Sequence, residues 1–487
     1  RLLGQPSERL VERPWNGSLL TMAMLRQPIL DQLKKIKGLH CDISMSRYYP
    51  YHNLVSQVVG YVDRDHKGQF GIERQFDPLL IGKTSNLVFD RAADGRLRKA
   101  IVDQLPDVEN GVDIQLTIDV GIQTILLDAL QQGMKRSGAD AANGVIINPF
   151  TGDILAMASI PDFDPNSYWN YDVSSFLNHT ISDSYEPGST FKLISMTAAF
   201  ESGLFKPSDS FYCEDGEYQI IPSKIIHDHE PHGDLSLSDI FVYSSNIGLI
   251  KMVDQLGSQH IYDYARKFGF GIRTGVPLPS EASGVLREFN EWTRLSGPSV
   301  SMGQEISVNT LQLGLAYSAA ANGGYLPNAR IIHKISGNGY EDRDYSPKPV
   351  RKVMSKQTSE LLLSMMEDVV NRGTASKARI PGFRIGGKTG TAEKFINGTY
   401  SKRAFISSFA AVFPIESPKY VCVISVDSPK YGYHWGNETA VPIVKEIFER
   451  LIINNKEFIP VTPKSIPQFA QSINSEAHPL IMATANM

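Results

Sequence analysis

The stretch YEPGSTFKLIS, residues 185–195, decides how this chain is interpreted. Ser189 follows a Pro-Gly pair and precedes Lys192 by three residues, at the point where an apolar helical pattern begins. Positions i and i+3 share one face of a helix, so the lysine can lie beside the serine if that face lines a cleft. The alternative is structural, with Ser189 as a helix cap and Lys192 as a solvated side chain.

Two later stretches carry polar groups that could complete a site with this serine. FVYSSNIGLI, residues 241–250, places an SxN triplet at 244–246 within an apolar pattern of helix and turn. RIGGKTGTAEKF, residues 384–395, places KTGT at 388–391 at the head of a strand-like segment. Each motif alone is weak, because short motifs recur by chance. All three in this order, each on a suitable element, form a strong signal for serine acyl transfer.

The first two motifs supply the groups that such chemistry needs. A serine hydroxyl such as that of Ser189 is a poor nucleophile until a neighbouring base takes its proton. Lys192 can be that base if burial and a nearby positive charge keep it partly neutral. Ser244 can relay a proton to a leaving amine, and Asn246 offers a donor and an acceptor to a peptide amide. We therefore predict that these four residues form the catalytic group.

The KTGT motif suits the terminal carboxylate of a substrate. Lys388 offers a positive charge, Thr389 and Thr391 offer hydroxyls, and Gly390 lets the strand approach the substrate closely. The ordinary alternatives are a solvated Lys388, two strand-forming threonines and a turn residue at Asn246. We predict that residues 388–391 bind substrate.

Composition excludes several other classes of protein. The chain has 487 residues and a net charge of −4, with no Lys/Arg-rich run, so nothing electrostatic favours nucleic-acid binding. Cys41, Cys213 and Cys422 are far apart and lack metal-ligand spacing, so we predict that they are packing residues. No apolar run reaches the roughly 18 residues that a membrane span needs. Because the sequence begins with Arg1, we expect an N-terminal anchor outside the given sequence.

The pattern along the chain predicts an α+β architecture. Residues 1–112 are rich in short β-like runs and predict a mostly β N-terminal pedestal domain. In residues 113–455, strand patterns stand at both ends with helical patterns between them, which predicts one antiparallel sheet closed by distant segments. Residues 456–487 are rich in Pro, Ser and Asn and predict a loose tail.

Across roughly residues 45–455 the chain resembles a known family, the class B penicillin-binding proteins, which are monofunctional peptidoglycan transpeptidases. Besides the three motifs, the resemblance lies in phrases such as GQFGIERQFDPLLIG (68–82), NPFTGDILAMASIPDFDPN (148–166) and SMGQEISVNTLQLGLAYSAAANGG (301–324). ISDSYEPGSTFK and SSNIG resemble the septal, cell-division branch more than the elongation branch.

The resemblance implies a penicillin-binding transpeptidase domain behind a dimerisation-like pedestal, on the extracytoplasmic face of the bacterial inner membrane. It implies that Ser189 is acylated by the penultimate D-alanine of a stem peptide, and that an amine from another stem then forms the cross-link. The oxyanion would lie between the backbone N–H groups of Ser189 and Thr391. β-Lactams would acylate the same serine. No metal or organic cofactor is implied, and a membrane glycosyltransferase and divisome proteins are the expected partners.

The sequence departs from the family pattern in two places. ERPWNGSLL matches poorly the phrase expected near the membrane, and YGYHWGNETAVP stands where the family often has a Tyr/Gly-rich turn. There His434 and Trp435 could shape the rim of the cleft, without a catalytic role. A further cluster lies between the SxxK and SxN motifs. We predict a hydrated loop there rather than a metal site, because the spacing suits neither a helical nor a strand ligand set. Its members are His227, His229, Glu230, His232 and Asp234.

Three other functions remain open from the sequence. A serine β-lactamase or D,D-carboxypeptidase uses the same motifs but must activate water, for which class A enzymes use a glutamate that has no evident counterpart here. An elongation-type transpeptidase would differ in its place in the cell rather than in its chemistry. A non-catalytic scaffold is the third alternative, against which the intact motifs argue.

Overall fold

A computed structural model gives the fold of the chain. It describes residues 8–11, 22–25, 47–82, 90–91, 97–98, 111–222, 224–337, 340, 345–396, 398–455 and 457–458. Cys41 and most of the predicted 456–487 tail lie outside these residues. Within them, no helix is both long and apolar enough to cross a membrane.

The described chain contains α-helices and β-strands throughout. The α-helices are α1 Ser56–Val59, α2 Gly71–Gln75, α3 Asp77–Leu80, α4 Val120–Ser137, α5 His179–Ser182, α6 Lys192–Glu201, α7 Leu237–Val242, α8 Asn246–Leu256, α9 Ser258–Lys267, α10 Ser296–Ser301, α11 Thr310–Ala321, α12 Lys356–Asn371 and α13 Ala440–Asn454. The strands are β1 Glu8–Val11, β2 Met22–Leu25, β3 Asp90–Arg91, β4 Leu97–Arg98, β5 Asp113–Leu116, β6 Ala141–Ile147, β7 Ile154–Ile160, β8 Ser210–Tyr212, β9 Glu217–Ile221, β10 Lys224–His227, β11 Asp234–Ser236, β12 Tyr325–Pro327, β13 Ile332–Ser336, β14 Pro349–Lys352, β15 Gly386–Ile396, β16 Thr399–Phe413 and β17 Tyr420–Asp427.

One five-stranded antiparallel sheet organises the large domain, in the order β15-β16-β17-β6-β7. The hairpin β6–β7 comes from early in the domain, and β15–β17 come from its end. They join where β17 pairs with β6, from Val421 opposite Ile147 to Asp427 opposite Ala141. The predicted α+β sheet closed by distant segments is therefore confirmed. Strand β15, which carries KTGT, lies at one edge of this sheet.

Helices cover both faces of the sheet. Alternate residues of β6 point to opposite faces, because side chains alternate along a strand. Ile147 lies against Gly314 of α11, whereas Gly144 lies against Leu126 of α4. Helix α11 is buried on all sides, as its almost wholly apolar sequence requires. Helix α13 packs against α4 on the second face.

The caps of helix α4 follow the sequence signals. The Asp119 carboxylate accepts a hydrogen bond from the backbone N–H of Ile122, and the helix ends at Gly138 with φ of 61°. Cys213 and Cys422 are buried free thiols, as predicted for packing residues.

The N-terminal part differs from the sequence prediction where it is described in detail. Residues 47–82 contain a 3₁₀ turn, the short helices α1–α3 and one isolated antiparallel bridge between Val62 and Gly68, rather than full strands. Short apolar runs bounded by Gly, Pro and Asp fit a strand or a buried helical turn equally well, so local pattern could not decide. Packing decided it, because α1 lies against β7 of the large domain. Elsewhere in this part, the described pairs β1–β2 and β3–β4 are antiparallel strands.

A buried glutamine joins this N-terminal segment to the large domain. The Gln57 side-chain amide donates to the carbonyl oxygens of Pro161 at 3.0 Å and Ser175 at 3.1 Å. Its oxygen accepts from the N–H of Ser159 at 3.0 Å and from its hydroxyl at 2.9 Å. Both polar atoms of its side chain are therefore paired with residues of the large domain.

We predict that Gln57→Ala lowers the free energy of unfolding by about 2–4 kcal/mol, because it leaves buried backbone groups without partners. Denaturant unfolding of the purified protein measures this. Gln131→Ala, at an exposed position of α4, is the matched control and should change it by less than about 0.5 kcal/mol. Equal effects of the two substitutions would contradict the role given to Gln57.

Candidate active site

Ser189 lies in a single 3₁₀ turn, Gly188–Phe191, directly before α6 begins at Lys192. Its side chain caps neither helical segment, so the interpretation of Ser189 as a helix cap is wrong. Gly188 has φ of +55°, a conformation that favours glycine. A Cβ there would lie 3.0 Å from the carbonyl oxygen of Thr391, so glycine also permits the close approach of strand β15.

The SxN triplet forms the turn between α7 and α8. Ser244 has φ of +63°, an uncommon value for a residue with a side chain, and Ser245 is the N-cap of α8. The Ser245 hydroxyl accepts from the N–H of Gly248 at 3.0 Å. This turn therefore directs the side chains of Ser244 and Asn246 towards α6.

Lys192 is fully buried and its Nζ faces this turn. It lies 2.6 Å from the carbonyl oxygen of Ser244, 3.1 Å from that of Ser245 and 2.8 Å from Asn246 Oδ1. The Ser244 hydroxyl is slightly farther, at 3.3 Å. Burial lowers the pKa of Lys192 to about 7, although Asp228 opposes the shift. A substantial fraction of Lys192 is therefore neutral at physiological pH.

Lys388, on strand β15, also contacts Ser244. Its Nζ donates to the Ser244 hydroxyl at 2.9 Å, and the residue is fully buried. Burial, and then the charge of Lys192, hold the pKa of Lys388 well below its usual range. The Ser244 hydroxyl thus lies between two buried amines, which gives a route for a proton between them.

Thr389 and Thr391 point to the other face of β15, where they line a cavity of about 460 Å³. The Thr389 hydroxyl lies 2.8 Å from that of Thr374, and Thr391 Oγ1 accepts from the N–H of Gly436 at 3.3 Å. The cavity is also lined by Ser189, Ser244 and Asn246.

The structure therefore brings all eight predicted residues into one region. Five line the cavity, and Lys192 and Lys388 lie buried behind it. Gly390 has the remaining position, on β15 against the turn of Ser189. One expected contact is different: the four acceptors around Lys192 Nζ in the described structure do not include the Ser189 hydroxyl.

Several residues at the cavity did not emerge from sequence reasoning. Thr374 and Arg372 line it from the end of α12, and Arg372 pairs with Asp239 at 2.7 Å. Asp228 accepts hydrogen bonds from the SxN turn. Nothing local marks these residues, because they come from separate elements that only the fold brings together.

The loop after β10 is closer to the site than predicted. The ring of His229 lies 4.3 Å from that of Trp435, centroid to centroid, and both line the cavity. Within the described residues, no group of three or more His, Cys, Asp or Glu side chains could hold a metal ion. Trp435 stands on the rim, whereas the backbone oxygen of His434 accepts from the Ser407 hydroxyl.

Comparison with known proteins identifies the family. Residues 143–449 match the family described as penicillin binding protein transpeptidase domain, and residues 22–116 match the penicillin-binding protein dimerisation domain. The chain therefore belongs to the penicillin-binding proteins with a transpeptidase domain.

Individual relatives agree with this assignment. The chain is 34% identical to a peptidoglycan D,D-transpeptidase FtsI homolog of Mesostigma viride, over 89% of this chain and 76% of that protein. It is 32% identical to stage V sporulation protein D of Bacillus subtilis, over 85% of this chain and 64% of that protein. Penicillin-binding protein 3 of Mycobacterium tuberculosis, in complex with ampicillin, has a TM-score of 0.77 and 29% identity, over 87% of this chain and 92% of that one.

We predict that Gly390→Ala slows acylation by benzylpenicillin about 10- to 100-fold. The new Cβ would lie 2.5 Å from Ser408 Oγ and 2.8 Å from the carbonyl oxygen of Pro187, so β15 must move away from the turn of Ser189. Intact-protein mass spectrometry over time gives the rate constant.

Gly121→Ala is the control for this substitution. Gly121 lies in α4, and a Cβ there would approach only the Asp119 carboxylate, at 3.2 Å. It should leave the rate unchanged. A wild-type rate in Gly390→Ala would contradict the requirement for close approach.

Proposed function

We propose that the chain is a serine peptidoglycan D,D-transpeptidase that cross-links stem peptides through an acyl-enzyme on Ser189. The observation that carries the proposal is the group around Ser244. There a buried lysine with a pKa of about 7 and a second buried lysine share the Ser244 hydroxyl, which lines the same cavity as Ser189. The names of the relatives, a peptidoglycan D,D-transpeptidase among them, support the same reaction.

In the acylation step, Ser189 Oγ attacks the carbonyl carbon of the penultimate D-alanine. A neutral Lys192 accepts the hydroxyl proton, after the serine side chain turns towards it. The ester bond forms and the amide C–N bond breaks. Ser244, between Lys192 and Lys388, delivers the proton to the leaving D-alanine nitrogen. The N–H groups of Ser189 and Thr391 would donate hydrogen bonds to the negatively charged carbonyl oxygen.

In the second step, an amine of a neighbouring stem attacks the ester carbon and releases the Ser189 hydroxyl. The amine loses its proton through Lys192, Ser244 and Lys388, and the new amide is the cross-link. Because β15 is an edge strand, its backbone can pair with an extended peptide that lies in the cavity. Asn246 and Thr389 would hold the amide and the terminal carboxylate of that peptide. β-Lactams would acylate Ser189 by the same route, consistent with relatives solved with ampicillin and aztreonam.

The role in the cell belongs to the same proposal. Residues 1–112 would form the pedestal, 113–455 the transpeptidase domain and 456–487 a tail, on the extracytoplasmic face of the inner membrane. Partners would be a membrane glycosyltransferase and divisome proteins. The resemblance of ISDSYEPGSTFK to the septal branch and the relatives named FtsI homologs support a division role. A fluorescent fusion found along the lateral wall, rather than at the septum, would instead indicate elongation.

The primary test is the mass of the intact protein after incubation with benzylpenicillin. We expect one stable adduct of one drug mass, absent in Ser189→Ala. Thr190→Ser, beside the nucleophile, is the matched control and should keep the adduct. Consumption of drug without a lasting adduct would indicate a hydrolase, and neither adduct nor consumption would contradict the proposal.

We predict that the rate of this acylation falls as pH decreases through about 7, because protonation of Lys192 removes the base. Burial lowers the pKa, so the neutral amine dominates above pH 7 and the ammonium below it. Rate constants between pH 5 and 9, measured by the same adduct, check this. A rate that stays constant down to pH 5 would exclude Lys192 as the base.

A further inference from the structure

The carboxylate of Asp228 is hydrogen-bonded to the SxN turn, as Lys192 is. Asp228 follows β10 in the loop that the sequence singled out for its histidines. Its Oδ1 accepts from the N–H of Asn246 at 2.5 Å and of Ile247 at 3.1 Å. Its Oδ2 accepts from the Ser245 hydroxyl at 2.5 Å. One side chain therefore satisfies backbone donors in the first turn of α8 and the side chain of its N-cap.

These contacts and those of Lys192 meet on the same two residues. The Ser245 hydroxyl donates to Asp228, and its carbonyl oxygen accepts from Lys192. The backbone N–H of Asn246 donates to Asp228, and its Oδ1 accepts from Lys192. The neighbouring Ser244 has a left-handed backbone conformation, which persists only when its surroundings fix it. The turn is thus held by hydrogen bonds to one carboxylate and one amine.

The same loop contacts Asn246 a second time. Asn246 Nδ2 donates to the carbonyl oxygen of His227 at 3.1 Å, so the orientation of the amide is fixed by backbone as well. The Asn246 side chain therefore lines the cavity while its oxygen accepts from Lys192 and its nitrogen donates to the carbonyl oxygen of His227.

We propose that Asp228 is a positioning residue for the transpeptidase reaction, which fixes the Ser244–Asn246 turn through its hydrogen bonds. The inference rests on the proposed function. Asp228 does not touch the reacting atoms and acts only through the turn and through its charge.

Charges near Lys192 define what the loss of Asp228 should do. Two titratable groups shift the pKa of Lys192 from the elements packed around α6, Asp228 and the Cys213 thiol, and Lys192 in turn lowers the pKa of Lys388. Asp228 and Cys213 favour the ammonium, whereas burial opposes it. Without the carboxylate, Lys192 would lose its proton more easily, and the acidic limb of the rate profile would move to lower pH.

The experiment compares three variants at Asp228 by the pH profile of acylation with benzylpenicillin. Asp228→Asn keeps an oxygen for the N–H groups of α8 but loses the charge and the acceptor for Ser245. Asp228→Glu keeps the charge but displaces it, and Asp228→Ala removes the charge and all the hydrogen-bond acceptors. Asp234→Asn, an exposed position of β11, is the control and should match the wild type. Thermal unfolding of each variant shows whether it is folded.

For Asp228→Asn we expect a rate at high pH about tenfold lower, and a midpoint displaced to lower pH. Asp228→Glu should keep the wild-type midpoint with a reduced rate, which separates charge from position. Asp228→Ala should show both effects more strongly.

Wild-type rate and midpoint in Asp228→Asn would overturn the proposal. A uniform loss of rate with an unmoved midpoint and a lower Tm would also overturn it, because that marks a purely structural role. If the wild type forms no adduct, the proposed function itself fails and this inference falls with it. An adduct with no dependence on Asp228 refutes the inference alone.

Discussion

The burial of two lysines against one serine hydroxyl is the constraint on which the rest of the site depends. Moving an ammonium out of water costs several kcal/mol, which a protein offsets with hydrogen bonds or avoids by releasing the proton. Lys192 does both, since four acceptors surround an amine whose pKa is about 7. The charge of Lys192 in turn lowers the pKa of Lys388, which favours the neutral form of that amine. A base near physiological pH is the chemical result.

The large sheet and its helices hold three chain segments at the distances that the site requires. Strand β15 brings Lys388, α6 brings Lys192, and the turn between α7 and α8 brings Ser244. Glycines make the approach possible, because a Cβ at Gly390 would lie 2.8 Å from the oxygen of Pro187. The core of buried apolar residues beneath the site supplies the rigidity that this geometry needs.

Some parts of the fold could be read from the chain and others could not. The hairpin β6–β7 and the pair β16–β17 lie at the two ends of residues 113–455, where the sequence predicts strands. The sequence predicts a mostly β segment over residues 1–112, but residues 52–59, 71–75 and 77–80 are helical, because their short apolar runs fit either form until they pack against the large domain. Ser189 has a capping sequence but does not cap, since its turn is fixed by contacts with β15.

The sequence by itself determined the chemistry available: a serine three residues before a lysine, an SxN triplet and KTGT, in an order that predicts serine acyl transfer. Only the tertiary structure decided how these groups act. A pKa depends on burial and on charges that are distant in sequence, as Asp228 and Lys388 are from Lys192. The loop that the sequence predicts to be hydrated also carries Asp228, which binds the SxN turn. Its hydrogen bonds join residues 17 and 18 positions apart, and such contacts leave no local pattern in the sequence.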